Sequence, residues 1–455
     1  MGTSRDLNSN SYLRFPKNFL WGVSTASHQV EGGNDNQRSA WEEAGRIKSG
    51  DCCGQACDWW NNAEADFNLA SELGLNALRL SVEWSRIEPE ENRFDRQALQ
   101  RYRRMLQALV DRGIQPIVCL HHFTHPRWFE QKGAFLSPNA PERFERFTRT
   151  VVDTLGDLCS CWVTLNEPNV YAAMGYVLGE FPPGRKGEIA TALRVVSAQG
   201  RAHLLAYRAI HELQQQAQVG WAQHYVVFQP VQARLDHWVA GLLNQVFNES
   251  FLELIEHGRF TFPFSMLDGT ASELKGACDF VGLNVYSRFH VAFDLKHASQ
   301  LFGRVFVPPD VPQGDAGVDK PYGEAYPGAI RNAVTRAARL RKPIYILENG
   351  VPDEHDRVRP WLIVNALREV HHLIEEGHDV RGYFHWTLVD NFEWSEGWKL
   401  RFGLFALDAV TQRRTMRPSG SLFREIVHQN GLSEEILEKC GSLLTTGECE
   451  PQEAQ

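Results

Sequence analysis

The sequence predicts an α/β fold, a single (β/α)8 TIM barrel, from two observations. Eight short apolar segments alternate with longer segments of helical periodicity, which is the pattern of parallel strands and their connecting helices. Polar and aromatic residues follow most of the apolar segments, as expected at the C-terminal ends of barrel strands, where active sites lie. We therefore expect one large domain whose site is assembled from many strand ends.

The eight predicted strands are mostly apolar because parallel barrel strands are buried on both faces. In chain order they span residues 19–24, 77–82, 116–120, 162–165, 219–223, 280–283, 344–347 and 382–386. Between them, apolar residues recur at helical spacing in residues 63–73, 97–112, 191–217 and 364–377. The longest connection, residues 289–325, is rich in Gly, Pro and Asp, which predicts a loop. Loops this long in compact domains are usually functional, so we expect it to cover the mouth of the site.

Length and composition indicate the domain plan. No Pro-, Gly- or Ser-rich linker divides the 455 residues, so residues 15–430 are assigned to the barrel, 1–14 to an N-terminal extension and 431–455 to a partly disordered C-terminal tail. The net charge of −9 is mixed and lacks basic blocks, which argues against nucleic-acid and membrane partners. Residues 1–10 lack a signal-peptide pattern, so a cytoplasmic location is expected. The sequence leaves the state of oligomerisation open.

Cys52, Cys53 and Cys57 lie close together, which admits either a metal site or free thiols. The cluster has no matching Cys or His group at zinc-ligand spacing, so free thiols in a reducing compartment are the favoured interpretation. We expect no metal and no organic cofactor.

Two glutamates at strand ends are the strongest functional signal. Glu167 follows the fourth predicted strand in an Asn-Glu-Pro triplet, and Glu348 ends the seventh in Glu-Asn-Gly. Two carboxyl groups facing each other across a barrel are what glycoside hydrolysis requires, because one protonates the leaving oxygen and the other attacks or activates water. Either triplet alone is equally compatible with a solvated acid in a turn.

The other strand ends supply groups that suit a neutral sugar. Gln, Asn, His and Glu side chains can pair with sugar hydroxyls, and a Trp ring offers a flat apolar face. In chain order these residues are Gln29, His122, Asn166, Asn284, Tyr286, Trp386, Glu393 and Trp394.

From residue 15 to residue 427 the sequence resembles glycoside hydrolase family 1, the β-glucosidase family. The supporting motifs are Phe-Leu-Trp-Gly at 19–22, Gln-Val-Glu-Gly at 29–32, Asn-Glu-Pro at 166–168, Asp-Phe-Val-Gly-Leu-Asn at 279–284, Glu-Asn-Gly at 348–350, Asp-Asn-Phe-Glu-Trp at 390–394 and Arg-Phe-Gly-Leu at 401–404. Each motif is weak alone, but their joint presence in this order is specific.

The resemblance implies a role for each matching residue. Glu167 would be the general acid/base and Glu348 the nucleophile, while Arg79 and Tyr286 would hydrogen-bond Glu348, with Arg79 lowering its pKa. The implied substrate-binding residues are Gln29, His122, Asn166, Asn284, Tyr286, Trp386, Glu393, Trp394 and Phe402. In this scheme Asn166 holds the sugar 2-hydroxyl, Glu393 bridges the 4- and 6-hydroxyls, and Trp386 stacks under the ring.

The implied activity is that of a retaining β-glycosidase on small-molecule or oligosaccharide β-glycosides, chiefly a β-glucosidase with some β-fucosidase and β-galactosidase activity.

A 6-phospho-β-glycosidase is the first alternative, but Glu393 would repel a phosphate at the sugar C6. A non-catalytic glycan-binding barrel is the second, and it should have lost one of the two acids, which are both present. Transglycosylation uses the same intermediate and is left open.

Three positions depart from the family pattern. Leu165 and Leu347 stand where Phe and Thr are commoner, which we interpret as packing changes beside the acids. Gly323 stands where many members have Trp, which indicates a wider mouth and tolerance of varied leaving groups. Arg79 also has a structural alternative, an ion pair with Glu83.

Overall fold

The computed structural model describes residues 12–261, 265 and 272–440, and the predicted (β/α)8 barrel lies within them. Its eight parallel strands are β1 (Leu20–Ser24), β2 (Ala77–Ser81), β3 (Gln115–His121), β4 (Cys161–Asn166), β5 (Gln218–Pro230), β6 (Val281–Phe293), β7 (Ile344–Asn349) and β8 (Val380–His385). Each strand pairs in parallel with the next, and β8 pairs with β1, so the sheet closes. The predicted fold class and all eight strand positions are confirmed.

The strands β5 and β6 run well past the barrel rim. Their outer parts pair with each other as far as Pro230 and Val291, and β6 also pairs in antiparallel fashion with Gly303–Phe306 and Glu324–Ala325. The prediction of a loop over residues 289–325 was therefore wrong for residues 289–293, 303–306 and 324–325, which are strands. Phe289, Val291 and Phe293 alternate there with Arg288 and His290, so the sequence does carry the signal of a strand with one solvated face.

In the described part of the chain, one main helical segment packs between each strand and the next or follows the last strand. These segments are Trp59–Glu72, Arg96–Val110, Ala140–Leu155, Ile189–Leu213, Arg234–Asn244 continuing through the π-helical Gln245–Glu249 into Ser250–His257, Ala329–Ala337, Arg359–Glu375 and Pro418–Gln429. Shorter helices occupy the loops at Ser27–Glu31, Gln37–Glu43, Trp84–Ile87, Arg127–Gln131 and Pro168–Ala172, the last continuing into the π-helical Ala173–Leu178. Four of the long helices match predicted ones, and the other four were not assigned from the sequence.

Side chains from several strands fill the barrel interior beneath the strand ends. This cluster contains Ala77, Ile117, Cys119, Cys161, Val163, Ala222, Phe280, Leu347 and Phe384. Gly282 on β6 leaves the space that Leu347 occupies, because a Cβ at position 282 would lie 2.3 Å from Leu347 Cδ1. Leu347 is thus a packing residue of the barrel centre, one position before Glu348 on the same strand.

The first and last strands of the described residues pair with each other. Leu13–Arg14 pairs in antiparallel fashion with Gly431–Leu432, and a helix follows at Glu434–Cys440. These segments belong to the predicted extension and tail, so the proposed domain boundaries stay a prediction; residues 1–11 and 441–455 lie outside the described residues. None of the helices described here is both long and apolar enough to cross a bilayer. Cys52, Cys53 and Cys57 are free thiols.

Candidate active site

A cavity of about 540 Å³ lies at the C-terminal ends of the barrel strands. Its lining includes residues that end or follow β3, β4, β5, β6, β7 and β8. Glu167 and Glu348 both line it and are 5% and 3% exposed. The cavity therefore brings together the two carboxyl groups that the sequence singled out.

The chain turns sharply at Glu167, directly after β4. Glu167 has a left-handed backbone conformation with φ of 45°, and its N–H donates to the carbonyl of Ala222 at 2.8 Å. Pro168 then begins a short helix, where its lack of an N–H costs nothing. A left-handed non-glycine residue costs about 1–3 kcal/mol, and such strain is concentrated at functional sites. This turn carries the Glu167 side chain off the strand and into the cavity wall.

Glu348 sits on β7 between two donors. The Arg79 guanidinium donates to Oε1, and the Tyr286 hydroxyl donates to Oε2 at 2.5 Å. Arg79 is fully buried on β2 and does not pair with Glu83, which accepts hydrogen bonds from Ser and Thr hydroxyls instead. Of the two alternatives for Arg79, the structure therefore contains the pairing with Glu348.

The environment of Glu348 pulls its pKa in opposite directions. Burial is the largest influence and raises the pKa, the Arg79 charge lowers it, and the nearby Glu167 raises it again, so that the pKa stands at about 7. Arg79 acts in the predicted direction, but burial outweighs it. Arg79 and Tyr286 thus both favour the ionised form of Glu348 against the effect of burial.

Hydrogen bonds join the two carboxyl groups through a continuous chain of side chains. The second Arg79 nitrogen donates to Asn166 Oδ1 at 2.5 Å. Asn284 Nδ2 donates both to Asn166 Oδ1, at 3.0 Å, and to Glu167 Oε1, at 2.7 Å. Any displacement of one acid is thereby coupled to the position of the other.

His224 is a site residue that the sequence interpretation missed. Its Nδ1 lies 3.0 Å from Glu167 Oε1, and its ring stacks on Tyr286 with centroids 5.6 Å apart. His224 lines the cavity and follows the predicted fifth strand by one residue. At the other predicted strands, polar residues at the C-terminal end were taken as site candidates. The same criterion identifies His224 at the end of the fifth predicted strand.

Aromatic and polar side chains form the inner end of the cavity. The His122 ring stacks between Trp386 and Trp394, with centroids 5.9 Å and 5.7 Å away. Asn166 Nδ2 donates to His122 Nε2 at 3.1 Å, and burial lowers the pKa of His122 well below its usual range, so its ring stays neutral. These residues meet as the sequence suggested.

Glu393 shares this inner end with Gln29. Gln29 Nε2 donates to Glu393 Oε2 at 3.3 Å. Burial, followed by the negative charge of Glu348, raises the pKa of Glu393 to about 8. Glu393 is therefore largely protonated at neutral pH in the free protein, and it can donate as well as accept a hydrogen bond.

Two sequence expectations concern the outer wall. Phe402 is buried behind Tyr322 and Tyr286, with ring centroids 5.1 Å and 6.2 Å away, and is not among the residues that line the cavity, so its contact with substrate stays a prediction. Gly323 has φ of 153°, and a Cβ there would lie 2.5 Å from Ser287 Cβ, so only glycine fits. Tyr322, however, lines the cavity, so the wall at this point keeps an aromatic ring.

The stretch predicted to cover the mouth does contribute to the cavity. Val305, Lys320 and Tyr322 are among its lining residues. Ion pairs hold the rim together: Lys320 contacts Glu180 at 2.9 Å, and Lys48 contacts both Glu180 and Glu396. Residues of the 289–325 stretch therefore line the cavity, while its role as a cover of the mouth stays a prediction.

Comparison with known proteins gives a consistent result. A family model described as glycosyl hydrolase family 1 matches residues 11–432. Beta-glucosidase A of Thermotoga maritima is 32% identical over 452 residues, covering 92% of this chain and 99% of that protein. The beta-galactosidase of Pyrococcus woesei is 29% identical, covering 93% of this chain and 99% of that protein. A solved beta-glucosidase from Thermotoga maritima in complex with castanospermine matches with a TM-score of 0.86 at 30% identity, covering 93% of this chain and 100% of that one.

Proposed function

Because the chain belongs to glycosyl hydrolase family 1 and is a β-glycosidase, we propose that it is a retaining enzyme, chiefly a β-glucosidase with some β-fucosidase and β-galactosidase activity. One observation carries the proposal. Two buried carboxyl groups line one cavity, and each has its own set of hydrogen-bond partners. That asymmetry is what two different catalytic roles require.

In the first step, Glu348 attacks the anomeric carbon while Glu167 gives its proton to the leaving oxygen, so that the glycosidic bond breaks and the aglycone departs as an alcohol. The contacts favour this division of roles. A cation and a hydroxyl donate to Glu348 and stabilise its ionised form, whereas the described partners of the Glu167 side chain are an amide and an imidazole.

In the second step, water attacks the same carbon from the side that the alcohol left. Glu167 removes a proton from that water, and Glu348 departs as a carboxylate. The product has the configuration of the substrate, because the anomeric carbon is inverted twice. Acceptor alcohols can replace water at this stage, which gives transglycosylation.

Unpaired polar atoms at the inner end support a sugar as the ligand. His122 Nδ1, in the cavity lining, is buried without a hydrogen-bond partner among the described residues. The same holds for Gln29 Oε1 and Asn284 Oδ1, whose side chains lie directly behind the lining and donate to Glu393 and Glu167. Buried polar atoms are normally paired, so hydroxyl groups of a substrate are their natural partners. Glu393 can accept from or donate to an equatorial or axial 4-hydroxyl, which supports activity on glucosides, galactosides and fucosides.

The 6-phospho-β-glycosidase alternative is disfavoured by the cations rather than by Glu393. With a pKa of about 8, Glu393 carries little negative charge at neutral pH, so it repels a phosphate less than the sequence suggested. Among the described residues that line the cavity, Lys320 is the only Lys or Arg, and it is paired with Glu180. A phosphate would therefore find no unpaired Lys or Arg there.

The test uses purified protein and 4-nitrophenyl β-glycosides of glucose, galactose, fucose and 6-phosphoglucose. We expect turnover of the three neutral sugars and little of the phosphorylated one. A 2-deoxy-2-fluoro-glucoside should label the peptide that contains Glu348, and NMR should detect the β-anomer first. Labelling of another peptide, or an initial α-anomer, would refute the retaining mechanism with this nucleophile.

A further inference from the structure

Beyond the acids, the cavity continues between apolar walls. We call this part the aglycone chamber and define it by Met174, Val177, Val226, Phe247, Phe289 and Val305. These residues come from the π-helical Ala173–Leu178, the outer part of β5, the π-helical Gln245–Glu249, the outer part of β6 and its antiparallel partner strand. Five separate parts of the fold thus present apolar side chains to one space.

The position of Glu167 identifies the chamber as the side of the leaving group. Met174 and Val177 lie in the helical segment that begins directly after Glu167, and Val226 lies two residues beyond His224, which contacts Glu167. The proton of the acid/base goes to the leaving oxygen, so the aglycone lies on this side of the bond. Glu393 and Trp394 mark the opposite, sugar-binding end.

The chamber walls offer few partners for a second sugar. The charged rim residues Glu180, Lys320 and Glu396 are already held in ion pairs. The polar lining residues close in sequence to the apolar wall are His224, which contacts Glu167, Ser287 and Gln300. A second hexose would leave hydroxyl groups unpaired against Val, Met and Phe side chains, and buried unpaired polar groups are costly. An apolar aglycone has no such cost and gains from leaving water.

We infer that the preferred substrates are β-glycosides of hydrophobic alcohols, with a long alkyl chain or a fused ring system, rather than oligosaccharides. This inference rests on the proposed function, because the side of the cavity that receives the aglycone is assigned from the role of Glu167. The aglycone chamber selects the alcohol, and the inner end selects the sugar.

The experiment measures binding, so that its outcome does not depend on turnover. Dissociation constants are determined by calorimetry for methyl, butyl, hexyl and octyl β-D-thioglucosides and for the thio-linked glucose disaccharide. If each methylene contributes about half of its full burial value, affinity rises about twofold per carbon, or about 100-fold from methyl to octyl. We expect octyl to bind at least about tenfold more tightly than the disaccharide.

Paired variants locate the effect in the chamber. Met174→Gln with Val305→Thr keeps side-chain size while adding polar atoms, and we expect the octyl-to-methyl affinity ratio to fall about fivefold or more. The matched control is Leu295→Gln with Val410→Thr, because these side chains are 72% and 92% exposed and lie outside the cavity lining. The control should keep the ratio of the parent protein.

The outcomes separate the two proposals. Affinity that is independent of chain length, or a disaccharide that binds more tightly than octyl thioglucoside, would overturn the apolar chamber even if aryl glucosides are hydrolysed. An equal loss in the control variant would also overturn it. Chain-length-dependent binding without hydrolysis of any O-glycoside would support the chamber and count against the proposed enzymatic activity.

Discussion

The hydrogen bond from Tyr286 to Glu348 makes a measurable prediction about pH dependence. Tyr286→Phe removes the hydroxyl that donates to Glu348 Oε2 at 2.5 Å, while the ring can keep its stacking on His224. The hydroxyl stabilises the ionised carboxylate and so lowers its pKa. Its loss must raise that pKa, and attack by Glu348 then requires a higher pH.

The size of the shift follows from the geometry. Both partners are buried, and a hydrogen bond to a charged group contributes about 1.5–3 kcal/mol. Because about 1.36 kcal/mol corresponds to one pH unit, the acidic limb of the kcat/KM profile should move up by about one to two units. With the parent pKa at about 7, kcat/KM at pH 6 should fall about 10- to 100-fold, while the loss above pH 9 should be much smaller.

The assay measures initial rates of 4-nitrophenyl β-D-glucoside hydrolysis from pH 4 to 10, stopped in alkali before absorbance is read. Tyr322→Phe is the matched control, because Tyr322 lines the same cavity but does not donate to Glu348. An unchanged acidic limb in Tyr286→Phe, or an equal shift in Tyr322→Phe, would refute the reasoning.

Three further predictions concern other residues of the site. Glu167→Ala should reduce kcat/KM for alkyl glucosides at least about 100-fold more than for 2,4-dinitrophenyl glucoside, because only poor leaving groups need protonation. His224→Leu should lower kcat/KM for alkyl glucosides about tenfold by removing a hydrogen bond to Glu167, whereas His224→Asn, which keeps a donor, should stay within about threefold of the parent. Glu393→Gln should weaken sugar binding and also stabilise the fold at high pH. In the parent, the raised pKa of Glu393 means that the free energy of unfolding falls as pH rises from about 4.5 to about 8. Glutamine does not titrate, so the variant avoids this loss. The difference in unfolding free energy between Glu393→Gln and the parent should therefore grow by about 3–5 kcal/mol between pH 4 and pH 9.

Each of these predictions can fail in a distinct way. Equal losses on both leaving-group classes would remove Glu167 from the acid/base role, and rate profiles over a series of phenols measure this directly. If His224→Asn is as impaired as His224→Leu, the ring's packing rather than its hydrogen bond matters. A pH-independent difference in urea denaturation between Glu393→Gln and the parent would contradict the raised pKa.

Much of the barrel was determined by the sequence alone. Parallel strands buried on both faces leave short apolar runs, and the barrel places its polar residues at their ends, so strand positions and the pair Glu167 and Glu348 could be identified from local patterns. Residues such as Gln29, His122 and Trp394 could be named for the same reason, since each follows a strand. Their catalytic and binding roles stay predictions.

The tertiary structure was needed for every feature in which residues from distant segments of the chain meet. The pKa values of Glu348 and Glu393 rise because burial outweighs the partners that the sequence suggested, and burial is a property of the assembled site. β5 and β6 continue past the barrel rim as strands because they pair with each other there, and this pairing is not visible in either segment alone. The apolar chamber joins side chains that lie more than a hundred residues apart, such as Met174 and Val305, and no local pattern along the chain records that they face one another.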